Sequence, residues 1–309
     1  MIDFIKINIM ELNPSVLEEN PLLMFEQRNV SNEGFLFPKL DKNSKNIKDK
    51  NGNNIYKSPY KISFYNSLEF RIYESGRITM SGSLHKYWNN VMCNGAHNFN
   101  DFDYKTFLFV LNDLKRKFSI QLKQCVLSSL EIGVNIIPII PTNQFLDYCF
   151  LHKTKQFECQ KNSDEGKYKQ VEHVQYIIKI YNKALHYKKD FTIKTEIMRF
   201  EIKYIKMQKI NERGIYNLND LANYGLYNFK DVLLKEFNNI LYYDNTIESK
   251  SLRITNYRNL LYWVELLNKP TKTSYYKHRE ILKNLTSECS NKIQNQIAEI
   301  IKDKIDFLT

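Results

Sequence analysis

The sequence predicts an α+β fold: a largely antiparallel sheet domain over residues 1–206 with helices on one face, followed by an α-helical domain over residues 207–309. Two observations carry this. Segments with period-two alternation of apolar and polar residues dominate as far as Lys206, and beyond Met207 the apolar residues switch to helical spacing. A chain of 309 residues is long enough to bury a full core in two such units.

The elements follow in order. "IDFIKINI" opens as a strand. Residues 40–54, "LDKNSKNIKDKNGNN", read as a long loop or hairpin tip of a composition that permits disorder, and no internal repeat is assigned. "NIYKSPYKISFYN" follows the Asn51-Gly52 turn as a strand, and "LEFRIY" and "RITMSGS" flank Glu74-Ser75-Gly76 as a tight hairpin. Residues 102–118 have helical spacing, "VLSSLEIGVNIIPII" is strand-like, and "TNQFLDYCFLHK" predicts a second helix capped by Thr142 or Asn143. "VQYIIKIYNK" and "MRFEIKYIK" close the sheet. The C-terminal part offers "NLNDLANYGLYNFKDVLLKEFNNIL", "SLRITNYRNLLYWVELLN" and, after the Lys269-Pro270 break, "KTSYYKHREILKNL" as helices. Helix, short Pro-containing turn, helix is compatible with a helix-turn-helix and equally with a plain helical hairpin.

Composition narrows the function classes. The formal charge is +11, and aromatic residues make up 14% of the chain. A basic, Tyr-rich chain points to a polyanionic partner, nucleic acid first, although Asn- and Lys-rich usage also follows from an A/T-rich genome. The cysteines at 93, 125, 149, 159 and 289 form no CxxC pair, so a zinc cluster or disulfide framework is not indicated and a reducing compartment, the cytoplasm, is expected. "MIDFIKINIM" lacks a signal-peptide pattern, and no apolar run approaches the roughly 20 residues of a membrane span. There is no GxxxxGK[ST], GxGxxG, GxSxG or HExxH, and no His-hydrophobe-His pair. His85 and His97 are read as surface or supporting residues.

Three strands carry unusual polar faces. Ser129, Glu131, Gly133 and Asn135 share one side of "SSLEIGVNI"; Lys179, Tyr181 and Lys183 project together from "QYIIKIYNK"; and Arg199, Glu201 and Lys203 do so from "MRFEIKYIK". Such a face is often simply solvated. Phosphodiester cleavage, however, needs carboxylates for a hard divalent cation, cations to offset phosphate charge and a nucleophile. Asp3, Glu131 and Glu201 suit the first role; Lys86, Lys179, Lys183 and Arg199 the second; a tyrosine the third.

The order of these pieces resembles the gene II type replication initiators of filamentous phages and, more distantly, the initiators of staphylococcal rolling-circle plasmids. The resemblance runs from "MID" and its strand through "FRIYE", "SGSLHKYWNN…NGAHNFNDF", "LEIGVNI", "IKIYNK" and "MRFEIK" to "NKPTKTSYYKHREIL". It implies a metal-dependent endonuclease, using Mg²⁺ or Mn²⁺, that nicks one strand of an origin. A tyrosine then holds a 5'-phosphotyrosyl link, leaving a free 3'-OH for a host DNA polymerase, and a later transfer rejoins the displaced strand. It further implies Glu201 and Glu131 as metal ligands with Asp3 as a third, and Lys183 and Lys86 on phosphate. Tyr168 is then the first choice of nucleophile, in "EGKYKQ", about a dozen residues before "IYNK"; Tyr176 is the second and Tyr181 the third. Arg199 or Lys203 would face DNA, and Tyr275, Lys277 and Arg279 would contact it from the helix after Pro270. Without a P-loop the chain would need a separate host helicase, and a homodimer is left open. The alternative is a catalytically inactive DNA-binding copy-control protein, and a third reading is an RNA-binding protein.

Overall fold

The computed structural model describes residues 1–31, 33–162, 166–248 and 253–309. Its strands are β1 (Ile2–Ile9), β2 (Glu26–Arg28), β3 (Tyr60–Tyr65), β4 (Leu68–Tyr73), β5 (Ile78–Ser83), β6 (Cys125–Ile136), β7 (Cys149–His152), β8 (Lys155–Gln156), β9 (Glu158–Asn162), β10 (Gly166–Glu172), β11 (Tyr176–Asn182), β12 (Met198–Tyr204) and β13 (Ile240–Tyr242). Ten of them form one sheet in the order β2-β3-β4-β5-β1-β6-β12-β11-β10-β9, antiparallel at every pairing. The α+β class expected from the alternation is the observed one.

In the central strands the two faces separate by parity. Met198, Phe200, Ile202 and Tyr204 pair with Ile136, Val134, Ile132 and Leu130, all buried, so the even positions form one continuous apolar layer. Against it pack Phe145 and Phe237, together with the helix Ile293–Leu308, whose Ile297, Ile301 and Ile305 are fully buried. The odd positions carry a polar face.

The core does not divide at residue 206. Ile210, Ile215, Leu218, Leu233, Phe237 and the helix Ile293–Leu308 belong to the same cluster as the sheet, while a second cluster joins Phe150 and Leu151 to Leu241, Tyr257, Trp263, Tyr275 and Leu282. The switch to helical periodicity near Met207 therefore marks the end of the large sheet, not the end of its core. The helices Leu260–Leu267 and Thr273–Cys289 flank the Pro270 turn as the sequence predicts. The first two residues of the expected helix at 251–268 lie outside the described residues.

Two local expectations are corrected. The helix at "TNQFLDYCFLHK" stops at Asp147, and Cys149–His152 is a buried strand pairing with Ile240–Tyr242. The four residues Cys149–His152 are buried at every position and so show no alternation to read. The N-cap position of that helix is Pro141, and the free N–H of Thr142 is taken instead by Glu196 Oε1 at 2.7 Å. Secondly, residues 40–54, expected as a long loop or hairpin tip, form two successive tight turns closed by the antiparallel bridges Leu40–Asn46 and Lys48–Asn54 and joined by backbone hydrogen bonds.

Candidate active site

Register brings the predicted carboxylates together. Glu201 lies opposite Gly133 on β6 and Lys179 on β11; Arg199 lies opposite Asn135 and Tyr181; Lys203 lies opposite Glu131. Asp3 arrives from β1, whose register against β6 shifts between Ile2 and Ile5. Such a bulge re-aims a side chain that regular pleating would have placed otherwise. Asp3, Glu131 and Glu201 are all buried, and one oxygen from each lies within 4.8 Å of the others.

Cations thread this cluster. Arg199 bridges Asp3, at 2.9 Å, and Glu201, and donates to Asn135 Oδ1 at 2.9 Å. Lys179 Nζ reaches Glu201 at 2.9 Å and Glu131 at 3.3 Å. Ser83 Oγ and Asn98 Nδ2 both donate to Asp3, and Tyr187 OH donates to Asn98 Oδ1. Asn135 Nδ2 in turn holds the Asn98 carbonyl at 3.0 Å, so the loop carrying Asn98 closes over the acids.

Ionisation follows from this packing. Burial drives Glu131 upward, and the neighbouring carboxylates of Glu201 and Asp3 add to it, so that it titrates at about 7 despite Lys179. Burial also opposes charge on Glu201, but Arg199 and Lys179 outweigh it and hold Glu201 down at about 2. Asp3 is likewise held far below the usual carboxylate range by Arg199 against the cost of burial. Lys183, buried and facing Arg199, falls to about 7. Two groups of opposite type thus titrate near neutrality in one site, the arrangement general acid-base chemistry requires.

Tyrosines sort by strand parity. Tyr181, on the polar face, has its hydroxyl 3.4 Å from Glu201 Oε2, and Lys183 Nζ donates to that hydroxyl at 3.1 Å. Tyr168 is its cross-strand partner, with ring centroids 5.5 Å apart, and stays partly exposed with its hydroxyl donating to Gln170 Oε1 at 3.0 Å. Burial raises Tyr168 to about 12, partly countered by Lys179.

Tyr176 has the opposite parity and is corrected as a candidate: it packs on the far face, where its hydroxyl meets Lys153 Nζ at 2.6 Å and Glu236 Oε2 at 3.2 Å. Its closeness to "IYNK" in sequence says nothing of the face it occupies.

Other expected residues fall into place or out of it. Lys86 lies half-buried with its ammonium 5.5 Å from the Tyr187 ring, on the side of the site that Lys183 also approaches, 5.5 Å from the same ring. Arg199, expected to face DNA as an option, is buried with its guanidinium committed to acids, and Lys179 is similarly bound, so both act within the cluster. Lys203 is half-buried beside the Phe4 ring at 4.6 Å. Tyr275 is fully buried with its hydroxyl on the Lys153 carbonyl, which removes it from any DNA-contacting surface; Lys277 on the same helix is exposed, and Arg279 is half-buried against the Asn239 carbonyl at 3.3 Å. His85 and His97 are buried rather than at the surface: His85 stacks on Phe102 and bonds Asn100 at 2.7 Å, and burial lowers it to about 3.

Sequence reasoning missed Ser83, Asn98 and Tyr187. Each is an ordinary polar residue in a loop or at an element's end, and only the closure of the chain over Asp3 gives it a role.

The donor set suits a hard divalent cation. Three carboxylates offer oxygen ligands of the kind Mg²⁺ and Mn²⁺ accept, and the upward shift of Glu131 comes first from burial and then from Glu201 and Asp3, whose repulsion a cation would relieve.

No protein-family model matches the chain, and no curated protein sequence does. Among solved structures the chain is similar to a rolling circle replication initiator protein from Geobacillus stearothermophilus, at 10% identity over 86% of this chain and 94% of that chain, with a TM-score of 0.38. With so few residues shared, the roles proposed for this site rest on the side chains of this chain.

Proposed function

We propose that this protein is a metal-dependent nicking and strand-transfer enzyme acting on DNA, in the manner of a rolling-circle replication initiator. The observation that carries the reading is the convergence of Asp3, Glu131 and Glu201, from three strands far apart in sequence, beside a tyrosine pair and a lysine that titrates near neutrality. A buried ion network serving stability alone would not need a carboxylate and a lysine both poised near pH 7.

In this reading Asp3, Glu131 and Glu201 hold Mg²⁺ or Mn²⁺, which when bound would polarise a phosphate oxygen. Tyr168, at the open margin of the cluster, is the attacking group. Its oxygen forms the bond to phosphorus as the bond to the 3'-oxygen breaks, giving a 5'-phosphotyrosyl link and a 3'-OH. The phenolic proton passes to a neutral base, a role given to Lys183, which titrates at about 7 and whose Nζ lies 3.1 Å from the hydroxyl of Tyr181, the cross-strand partner of Tyr168. Tyr181 sits between Lys183 and Glu201 and orients both. The departing 3'-oxygen takes up its proton from solvent water, because Glu131 is ionised once it holds the metal. Extension from that 3'-OH by a host polymerase behind a separate helicase completes the cycle.

The test is cleavage of end-labelled single strands with Mg²⁺ or Mn²⁺. Cleavage that requires metal and falls at least about a hundredfold in Glu201→Gln is expected, the scale of losing a group that acts in the transition state. Metal-independent cleavage, or full activity in Glu201→Gln, would overturn the assignment.

A further inference from the structure

Between β2 and β3 the chain leaves the sheet as an arm containing three similar eight-residue units, the first two separated by Pro38-Lys39. Residues 30–37, 40–47 and 48–55 read VSNEGFLF, LDKNSKNI and KDKNGNNI. In each unit the second residue accepts the backbone N–H of the sixth on its side-chain oxygen: Ser31 from Phe35 at 3.0 Å, Asp41 from Lys45 at 2.9 Å and Asp49 from Asn53 at 2.9 Å. The fifth residue has positive φ every time, at Gly34 (87°), Ser44 (60°) and Gly52 (83°). The units interlock through backbone bonds that close a ring: Ile47 N to Lys39 O at 2.8 Å, Ile55 N to Ile47 O at 2.9 Å, and Lys39 N to Ile55 O at 2.8 Å. The arm is therefore built by the sequence, although nearly all of its side chains are exposed.

Its charge is one-sided. Lys39, Lys42, Lys45, Lys48, Lys50 and Lys57 are all exposed and stand against three acids, Glu33, Asp41 and Asp49, the last two of which spend their carboxylates on turn N–H groups. No acid pairs with any of the six lysines among the described residues. A hydrogen-bonded scaffold that presents unpaired lysines in excess matches a polyanion, and phosphates rather than an apolar partner.

Position selects the kind of polyanion. The arm leaves from β2, the edge strand, whereas the acids lie on β1, β6 and β12, four to six strands along the sheet. At about 4.8 Å per strand that is roughly 20 to 30 Å, or about six to nine base pairs at about 3.4 Å each. Only an extended polymer meets both places at once. We propose that the arm of residues 33–57 is a clamp for the phosphate backbone of duplex DNA flanking the cleavage site. The identity of the partner rests on the nicking reading above; the arm's affinity for duplex does not depend on catalysis.

The test uses the full chain in EDTA, with a duplex of about 40 base pairs and a single strand of about 12 nucleotides as probes, over a salt series. Replacing the six lysines by glutamine is expected to weaken duplex binding about tenfold or more. The slope of log affinity against log salt should become shallower by about three to five, at roughly 0.9 for each phosphate no longer neutralised. Binding of the short strand should stay within about twofold. A triple variant at Lys42, Lys45 and Lys50 should give about half the change in slope, and circular dichroism controls for folding. An unchanged slope and affinity in folded variants overturns the proposal, as does an equal loss on both probes. Because no metal is present, failure of the cleavage reading leaves these outcomes unaffected, and an intact nicking activity with an unchanged slope would indict the arm alone.

Discussion

Gly133 lies directly across from Glu201, and a Cβ built on Gly133 would stand 2.7 Å from the Glu201 Cβ and 2.6 Å from the Phe200 carbonyl oxygen. The glycine is there to let an acidic side chain stand over β6 while the ladder stays regular. Gly133→Ala must push two strands apart. The expected cost is about 1–3 kcal/mol of stability, together with displacement of Glu201 and loss of metal-dependent cleavage. Chemical denaturation and a cleavage assay on the same sample check both.

Proton linkage makes a second prediction. Glu131 has a folded pKa of about 7, above its ordinary value of 4.5, so between those values the native state binds more protons than the unfolded chain and stability falls as pH rises. Its contribution is fully present below about 4.5 and lost on passing about 7, an effect of up to about 3 kcal/mol. Glu131→Gln should therefore be more stable than the parent above pH 7 in EDTA, with the difference vanishing near pH 4. Thermal unfolding across pH reads this directly, and a parallel pH dependence in both proteins would contradict it.

Lys183 runs the other way. Its folded pKa of about 7 lies below the ordinary 10.5, so the penalty for charging it is fully present below about 7 and is relieved as pH rises toward 10.5. Lys183→Met should remove a stability gain between pH 7 and 10 and slow cleavage. The cleavage rate of the parent should rise with pH through about 7, and that rise should be lost in the variant.

Metal affinity should track the same site. Because Glu131 is half-protonated near pH 7, binding of Mn²⁺ should release protons and tighten by up to about tenfold per pH unit below that point. Calorimetry in buffers of different ionisation enthalpy measures the proton release. Asp3→Asn should weaken the binding, and its failure to do so would remove Asp3 from the ligand set.

Much of the fold was legible because it is periodic. The alternation in "LEIGVNI" and "MRFEIK" placed Glu131, Gly133, Asn135, Arg199 and Glu201 on one face before any register was known, and the ladder then set them side by side. Asp3 depended on a bulge, and Asn98 on a loop closing over it, neither of which has a period. The arm was illegible for another reason: its repeat is carried by turn residues, Asp-x-x-Ser and Asp-x-x-Gly, whose likeness lies in hydrogen bonding more than in hydropathy. Motif distance ranked Tyr168 ahead of Tyr176, and the register of β10 on β11 adds the physical reason: Tyr168 pairs with Tyr181 on the polar face, whereas Tyr176 has the opposite parity on β11.

That separation makes a sharp contrast. Tyr176→Phe removes a hydroxyl shared by Lys153 and Glu236 and should cost about 1 kcal/mol of stability, with cleavage unchanged.

The most direct test incubates the protein and Mg²⁺ or Mn²⁺ with single strands tiled across the replicon that encodes it, followed by a denaturing gel and peptide mapping. A detergent-resistant protein-DNA band is expected, abolished by EDTA and by Glu201→Gln, retained in Tyr176→Phe, and mapping to Tyr168. If no tile yields a covalent band while duplex from the same replicon is still bound tightly, the protein is a DNA binder without strand transfer, and the central claim fails.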